Sequence, residues 1–167
     1  MMRELLIAAT AAALAAGGSQ VLAHGTKDEE KKAARKISAE EKAFGRQGDP
    51  KKVSKTIQVE MADTMRFTPD TLTVKAGDTI KFVVKNSGKQ MHEMVLGTEK
   101  ELKEHAALML KFPTMEHEEP YMAHVAAGKR EEIVWQFTKP GEYHFGCLIP
   151  GHFEAGMKGR ILVTASR

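Results

Sequence analysis

The chain contains one cysteine, Cys147, followed five residues on by His152 and five further on by Met157. Thiolate, imidazole and thioether on one short loop form a graded set of soft to borderline donors. Copper electron-transfer sites take such a set: two histidines and a cysteine in a plane, with a weak axial methionine. Residues 146–157 supply three of those four donors, and the missing imidazole must come from an upstream strand, where His92 is the best placed. Singly, each residue is ordinary. A lone cysteine is usually a small core residue, and a methionine usually fills a gap in packing. Together, at these spacings and around Pro150-Gly151, they point to a bound metal. Zinc is the alternative, because cysteine with two histidines suits Zn(II). A thioether is a poor fourth zinc ligand, so copper is preferred.

The loop needs a rigid mount. Residues 142–146 form an aromatic, strand-like stretch that delivers Cys147. Pro150-Gly151 is a turn pair that brings His152 back toward the thiolate, and Gly156 gives Met157 freedom to approach. Residues 158–164 then lead the chain away as a strand.

Further strands are expected at 56–61, 71–75, 79–85, 92–96 and 131–138, the last with Ile133, Trp135 and Phe137 alternating. Short strands with turn punctuation predict an all-β, antiparallel β-sandwich. Between 97 and 129 lies an insert, with a helix starting at Thr98 and Glu101 completing a capping box. Leu102, Ala106, Met109 and Leu110 follow at helical spacing, and Phe112-Pro113 ends the helix before the Trp135 strand.

Residues 1–23 read as a secretory signal: Arg3, then an apolar run over 5–16, then Val21-Leu22-Ala23 before a cleavage point. The run is too short for a comfortable membrane span, so none is expected once the signal is removed. Export implies a periplasmic protein. A single free thiol in an oxidising compartment needs explaining, and metal ligation explains it. Residues 24–55 are charged and read as a flexible tail, with the folded domain at 56–167. Net charge is +3 over 167 residues, and the tail lysines alternate with glutamates without aromatics, which argues against nucleic-acid binding.

Phe67-x-Pro69, Val74-x-x-Gly77-Asp78-x-Ile80-x-Phe82, Asn86, His92 and the Cys147–Met157 loop resemble the cupredoxins, the small copper proteins that include plastocyanin and azurin. The resemblance covers about 56–164. It is strongest to the periplasmic copper-tolerance cupredoxins of the CopI type, which share the signal, the charged tail and a His/Met-bearing insert. It implies a Greek-key sandwich and a type 1 copper site with His92, Cys147 and His152 as strong ligands and Met157 as the axial one. It also implies His152 as the electron gate; beside it, Leu148, Ile149 and Phe153 are expected to supply an apolar docking patch. One departure is Met91, where relatives often carry Gly or Pro before the first histidine.

The remaining histidines open a second possibility. His105, Met115, His117, Met122 and His124 in the insert offer imidazole and thioether donors for an additional copper, and His24 would head the mature chain. His144 should face away from Phe145 and Cys147 by strand alternation. Two functions follow: a carrier of single electrons contributing to copper tolerance, or a protein that sequesters and delivers copper through the insert. An enzyme is not expected. One cysteine permits one type 1 site, and Gly146 stands where reductases of the family place a histidine. The expected partner is a redox or copper-handling protein, and the chain is expected to be monomeric.

Overall fold

Alternation of buried and exposed side chains builds two sheets. In the computed structural model, residues 37–113, 115 and 117–166 are described. In chain order the strands are β1 (Glu41–Lys42), β2 (Gly45–Gln47), β3 (Lys55–Ala62), β4 (Arg66–Thr68), β5 (Thr71–Lys75), β6 (Thr79–Asn86), β7 (His92–Gly97), β8 (Met122–Val125), β9 (Arg130–Gln136), β10 (Gly141–Gly146) and β11 (Lys158–Thr164). Among the described residues one α-helix, α1 (Glu99–Lys111), follows β7. One sheet has the order β1-β2-β9-β6-β3-β4 and the other β5-β11-β10-β7-β8. Ile80, Phe82, Val84, Ile133 and Trp135 from the first sheet and Met94, Phe145, Ile161 and Val163 from the second share one apolar core. This is the cupredoxin-like sandwich, with the helical insert ahead of the Trp135 strand.

Three expectations change. The sheets are mixed rather than wholly antiparallel: β3 pairs parallel with β6, and β5 parallel with β11. A parallel neighbour cannot be reached through a hairpin, and here the chain passes through β4 and β5, crossing to the other sheet, before returning as β6.

Next, the stretch read as tail up to residue 55 is structured from Ile37 onward. Phe44 is 3% exposed and stacks on Trp135 at 5.1 Å between ring centroids. The Trp135 indole N–H donates to the Phe44 carbonyl at 2.9 Å. A Cβ at Gly45 would lie 2.1 Å from the Gln136 carbonyl oxygen, so only glycine lets β2 approach β9 this closely. The proposed signal at 1–23 and His24 lie outside the described residues. Third, the insert, expected to hold a helix, also contributes a strand, β8, which carries Met122 and His124.

The helix forms as its sequence dictates. The Thr98 hydroxyl accepts the Glu101 N–H, and the Glu101 carboxylate accepts the Thr98 N–H at 2.9 Å. Its apolar face, Leu102, Ala106 and Met109, packs on Val95, Met122, Leu148 and Phe153 in a second, smaller core. Among the described residues no helix is long and apolar enough to cross a membrane.

Candidate metal centre

β7 and β10 are neighbours in the second sheet, so the start of β7 lies beside the end of β10. His92 opens β7, and Cys147 follows the last residue of β10. The loop between β10 and β11 is pinned by its own backbone. Cys147 N–H donates to the Met157 carbonyl at 3.0 Å, His152 N–H to the Ile149 carbonyl at 2.9 Å, and Met157 N–H to the His152 carbonyl at 3.0 Å. Gly151 and Gly156 take positive φ, 87° and 95°, where the loop reverses.

This geometry gathers His92, Cys147 and His152. Their ligand atoms lie within 4.8 Å of one another, and among the described residues no other three His, Cys, Asp or Glu side chains converge this closely. The Cys147 sulfur is 3.3 Å from His152 Nδ1, and the two imidazole rings are 5.0 Å apart. His92, Cys147 and Met157 are fully buried, while His152 keeps 9% exposure. His92 Nδ1 is buried without a hydrogen-bond partner. A buried polar atom left unpaired is costly, and a metal ion held between the three side chains would satisfy it. The donors therefore fit a metal.

The electrostatics agree. Burial pushes the Cys147 thiol up to about 12. Burial, and then the neighbouring His92, lower the His152 imidazole below its ordinary value, so it is held neutral. A neutral imidazole is the ligand form. The protonated thiol must lose its proton to an incoming cation, because only the thiolate ligates.

Two supporting residues escaped the sequence reading. Asp63, in the β3–β4 connection, receives His92 Nε2 at 3.0 Å on Oδ1, and Oδ2 accepts Lys89 N–H at 2.8 Å. The Lys89 N–H, and then His92, hold this carboxyl below its ordinary range. A Cβ at Gly88 would stand 2.0 Å from Asp63 Oδ1, so glycine there makes room for the carboxylate. Asn86 closes the same turn, donating to the carbonyls of Gln90 and Val125, each at 2.8 Å. A polar residue after a strand reads as an ordinary turn residue, so nothing local marks Asp63. The second residue is Glu93, whose backbone N–H reaches the Cys147 sulfur at 3.4 Å. Its signal was available: one acid between His92 and the apolar run Met94-Val95-Leu96 of a strand.

The expected docking patch is corrected. Leu148 is 1% and Phe153 8% exposed, because α1 covers them, and Ile149 is half-buried. The insert thus occupies the ground where an open apolar face was expected. Met91, next to His92, is 54% exposed.

The insert histidines come together in part. The rings of His105 and His117 are 4.5 Å apart, and those of His117 and His124 are 6.1 Å apart. Glu93 beside it raises the His124 imidazole above its ordinary value. Met115 is exposed, whereas Met122 is buried against α1. His144 is only partly buried, 3.5 Å from Glu142, and stands apart from the fully buried Phe145 and Cys147.

Residues 53–164 match the family described as copper binding proteins, plastocyanin/azurin family. The chain is 54% identical over 120 residues to the copper-resistant cuproprotein CopI of Rubrivivax gelatinosus, covering 72% of this chain and 73% of that one. It is 35% identical over 150 residues to the protein of the same name from Pseudomonas aeruginosa, covering 72% and 82%. Among solved structures it resembles auracyanin B, with a TM-score of 0.60 at 21% identity, over 72% of this chain and 96% of that one. That likeness bears on the fold alone. Copper is accordingly the metal these donors fit. The chain belongs to the plastocyanin/azurin family of copper-binding proteins, and within it to the cupredoxins of the CopI type.

Proposed function

We propose that the protein is a periplasmic type 1 copper protein, with His92, Cys147 and His152 as strong ligands and Met157 as the axial one, that carries single electrons and contributes to copper tolerance. The observation that carries this reading is the buried convergence of three donors within 4.8 Å, with His92 Nδ1 otherwise unpaired. Copper, when bound, supplies a one-electron Cu(I)/Cu(II) couple. The protein's part is to hold its donors still. Asp63 fixes the His92 ring and leaves Nδ1 free to ligate. The Cys147–Met157 backbone bond keeps the ligand loop closed. His152 is the one of these four side chains that keeps measurable exposure, which suits it to pass electrons to a redox or copper-handling partner.

The tolerance role is supported by the printed names of the relatives, copper-resistant cuproproteins. The compartment is supported by the signal-like sequence at 1–23. A carrier rather than an enzyme fits a site this enclosed, and a monomer is the simplest state for it. Copper titration of the mature chain, followed by visible absorption, tests the reading. An intense thiolate-to-copper band at one equivalent, lost in Cys147→Ser, is expected. A band that survives that substitution would sink it.

A second reading is favoured by the ring contacts of His105, His117 and His124. Here the insert, with Met115 and with His24 at the head of the mature chain, takes additional copper for sequestration or delivery. Further equivalents without added charge-transfer intensity, lost in the double variant His105→Ala/His117→Ala, would support it. A strict one-to-one stoichiometry would count against it.

A further inference from the structure

Glu93 is the second residue of β7, a strand buried along its whole length between β10 and β8. Its side chain is 4% exposed. A carboxylate in such a place is costly unless both oxygens are satisfied. Oε1 accepts the Leu148 N–H at 2.7 Å, and Oε2 lies 2.9 Å from His124 Nε2. Its own backbone N–H reaches the Cys147 sulfur at 3.4 Å. One residue therefore grips Cys147 twice, at the sulfur and at the peptide that follows.

The choice of a carboxylate is informative. A neutral amide would also accept the Leu148 N–H, though less strongly, and an apolar side chain would fill the space. What the carboxylate adds is a second strong acceptor, and the strand register aims it: Glu93 stands opposite His124 across β7 and β8. His124 belongs to the insert, and its ring meets His117, whose ring meets His105. Contacts thus run without a break from the insert's histidines to the peptide beside Cys147.

Resting on the copper site proposed above, we infer that Glu93 is a positioning residue that holds the Cys147–Leu148 peptide and ties it to His124, so that the histidine face of the insert and the copper–thiolate centre are energetically coupled. Neither Glu93 nor His124 donates to the copper. Such coupling is reciprocal: whatever restrains or displaces His124 alters the thiolate centre, and loading that centre alters His124.

Three full-length variants test this: Glu93→Ala, Glu93→Gln and His124→Ala. The copper-loaded forms are read by visible absorption and paramagnetic resonance, and the copper-free forms by the amide resonance of Leu148 and by thermal melting. Glu93→Ala should move the charge-transfer bands and weaken copper binding about ten- to hundredfold. Glu93→Gln keeps an acceptor for Leu148 and should recover most of that affinity. His124→Ala should shift both the bands and the copper-free Leu148 amide resonance, in a protein that still melts cooperatively. Wild-type bands and an unmoved Leu148 amide in both alanine variants, with altered melting alone, would reduce Glu93 to a structural residue. A response confined to Glu93→Ala, with His124→Ala silent, would overturn the link to the insert. An absent band in the wild type would instead undo the copper reading, and the copper-free amide measurement would still decide the link.

Discussion

Asp63 receives three donors on one carboxylate: the His92 ring and the backbone N–H groups of Lys89 and Gln90. Carboxylate behind a ligating imidazole fixes the tautomer and raises ligand basicity. Asp63→Asn keeps the shape and removes the charge. Cu(II) affinity in a competition titration should fall by about ten- to hundredfold, and because both Asp63 oxygens accept N–H donors, the amide's NH2 must face one of them and lower the melting temperature as well. An unchanged affinity would mean that the backbone N–H groups are the carboxylate's real business. At this scale the sequence exposes ligands but hides their supports. Cys147, His152 and Met157 are rare residue types at tight spacing, so their chemistry is visible in one dimension. Asp63 and His92 are far apart in sequence, and only the β3–β4 connection brings them together.

The insert is an element with two faces. Its apolar side, Leu102, Ala106 and Met109, sits on Leu148 and Phe153 of the ligand loop, and its polar side carries His105. Leu102→Ala leaves a cavity in this small core, and a loss of about 2–5 kcal/mol is expected. Hydrogen exchange should locate the damage, with faster exchange at Leu148 and His152 than in β6 or β9. Equal protection throughout would show the helix to be a passenger on the loop. The helix was readable because Thr98 and Glu101 mark its start and the apolar period marks its face. Its target was not readable. Leu148 and Phe153 look like an exposed patch until the helix is seen lying on them.

Over the whole molecule, the sandwich followed from alternation, and most strand positions were legible for that reason. The parallel pairs β3·β6 and β5·β11 were not, since alternation is the same in both directions and only the crossing connections decide. Phe44 was missed for a related reason: a single large apolar residue in a charged stretch has no periodicity to announce it. Its contribution should nevertheless be large. Phe44→Ala removes the ring that stacks on Trp135 and meets Tyr121 edge-on at 5.4 Å, and a loss of about 3–5 kcal/mol is expected in denaturant unfolding. A change below about 0.5 kcal/mol, the range of an ordinary surface site, would return this segment to the status of a tail.

The enclosure of Cys147 bears on how long the protein can wait for its metal. Attack on oxidants, alkylating agents or other sulfurs requires a thiolate that the reagent can reach. Cys147 is wholly covered, and its proton is held up to about 12. Burial therefore predicts that mixed adducts and cross-links at Cys147 form slowly, to be read as slow labelling of the copper-free chain by a thiol reagent. The burial that shapes the ligand set should thus also protect the thiol until a metal arrives.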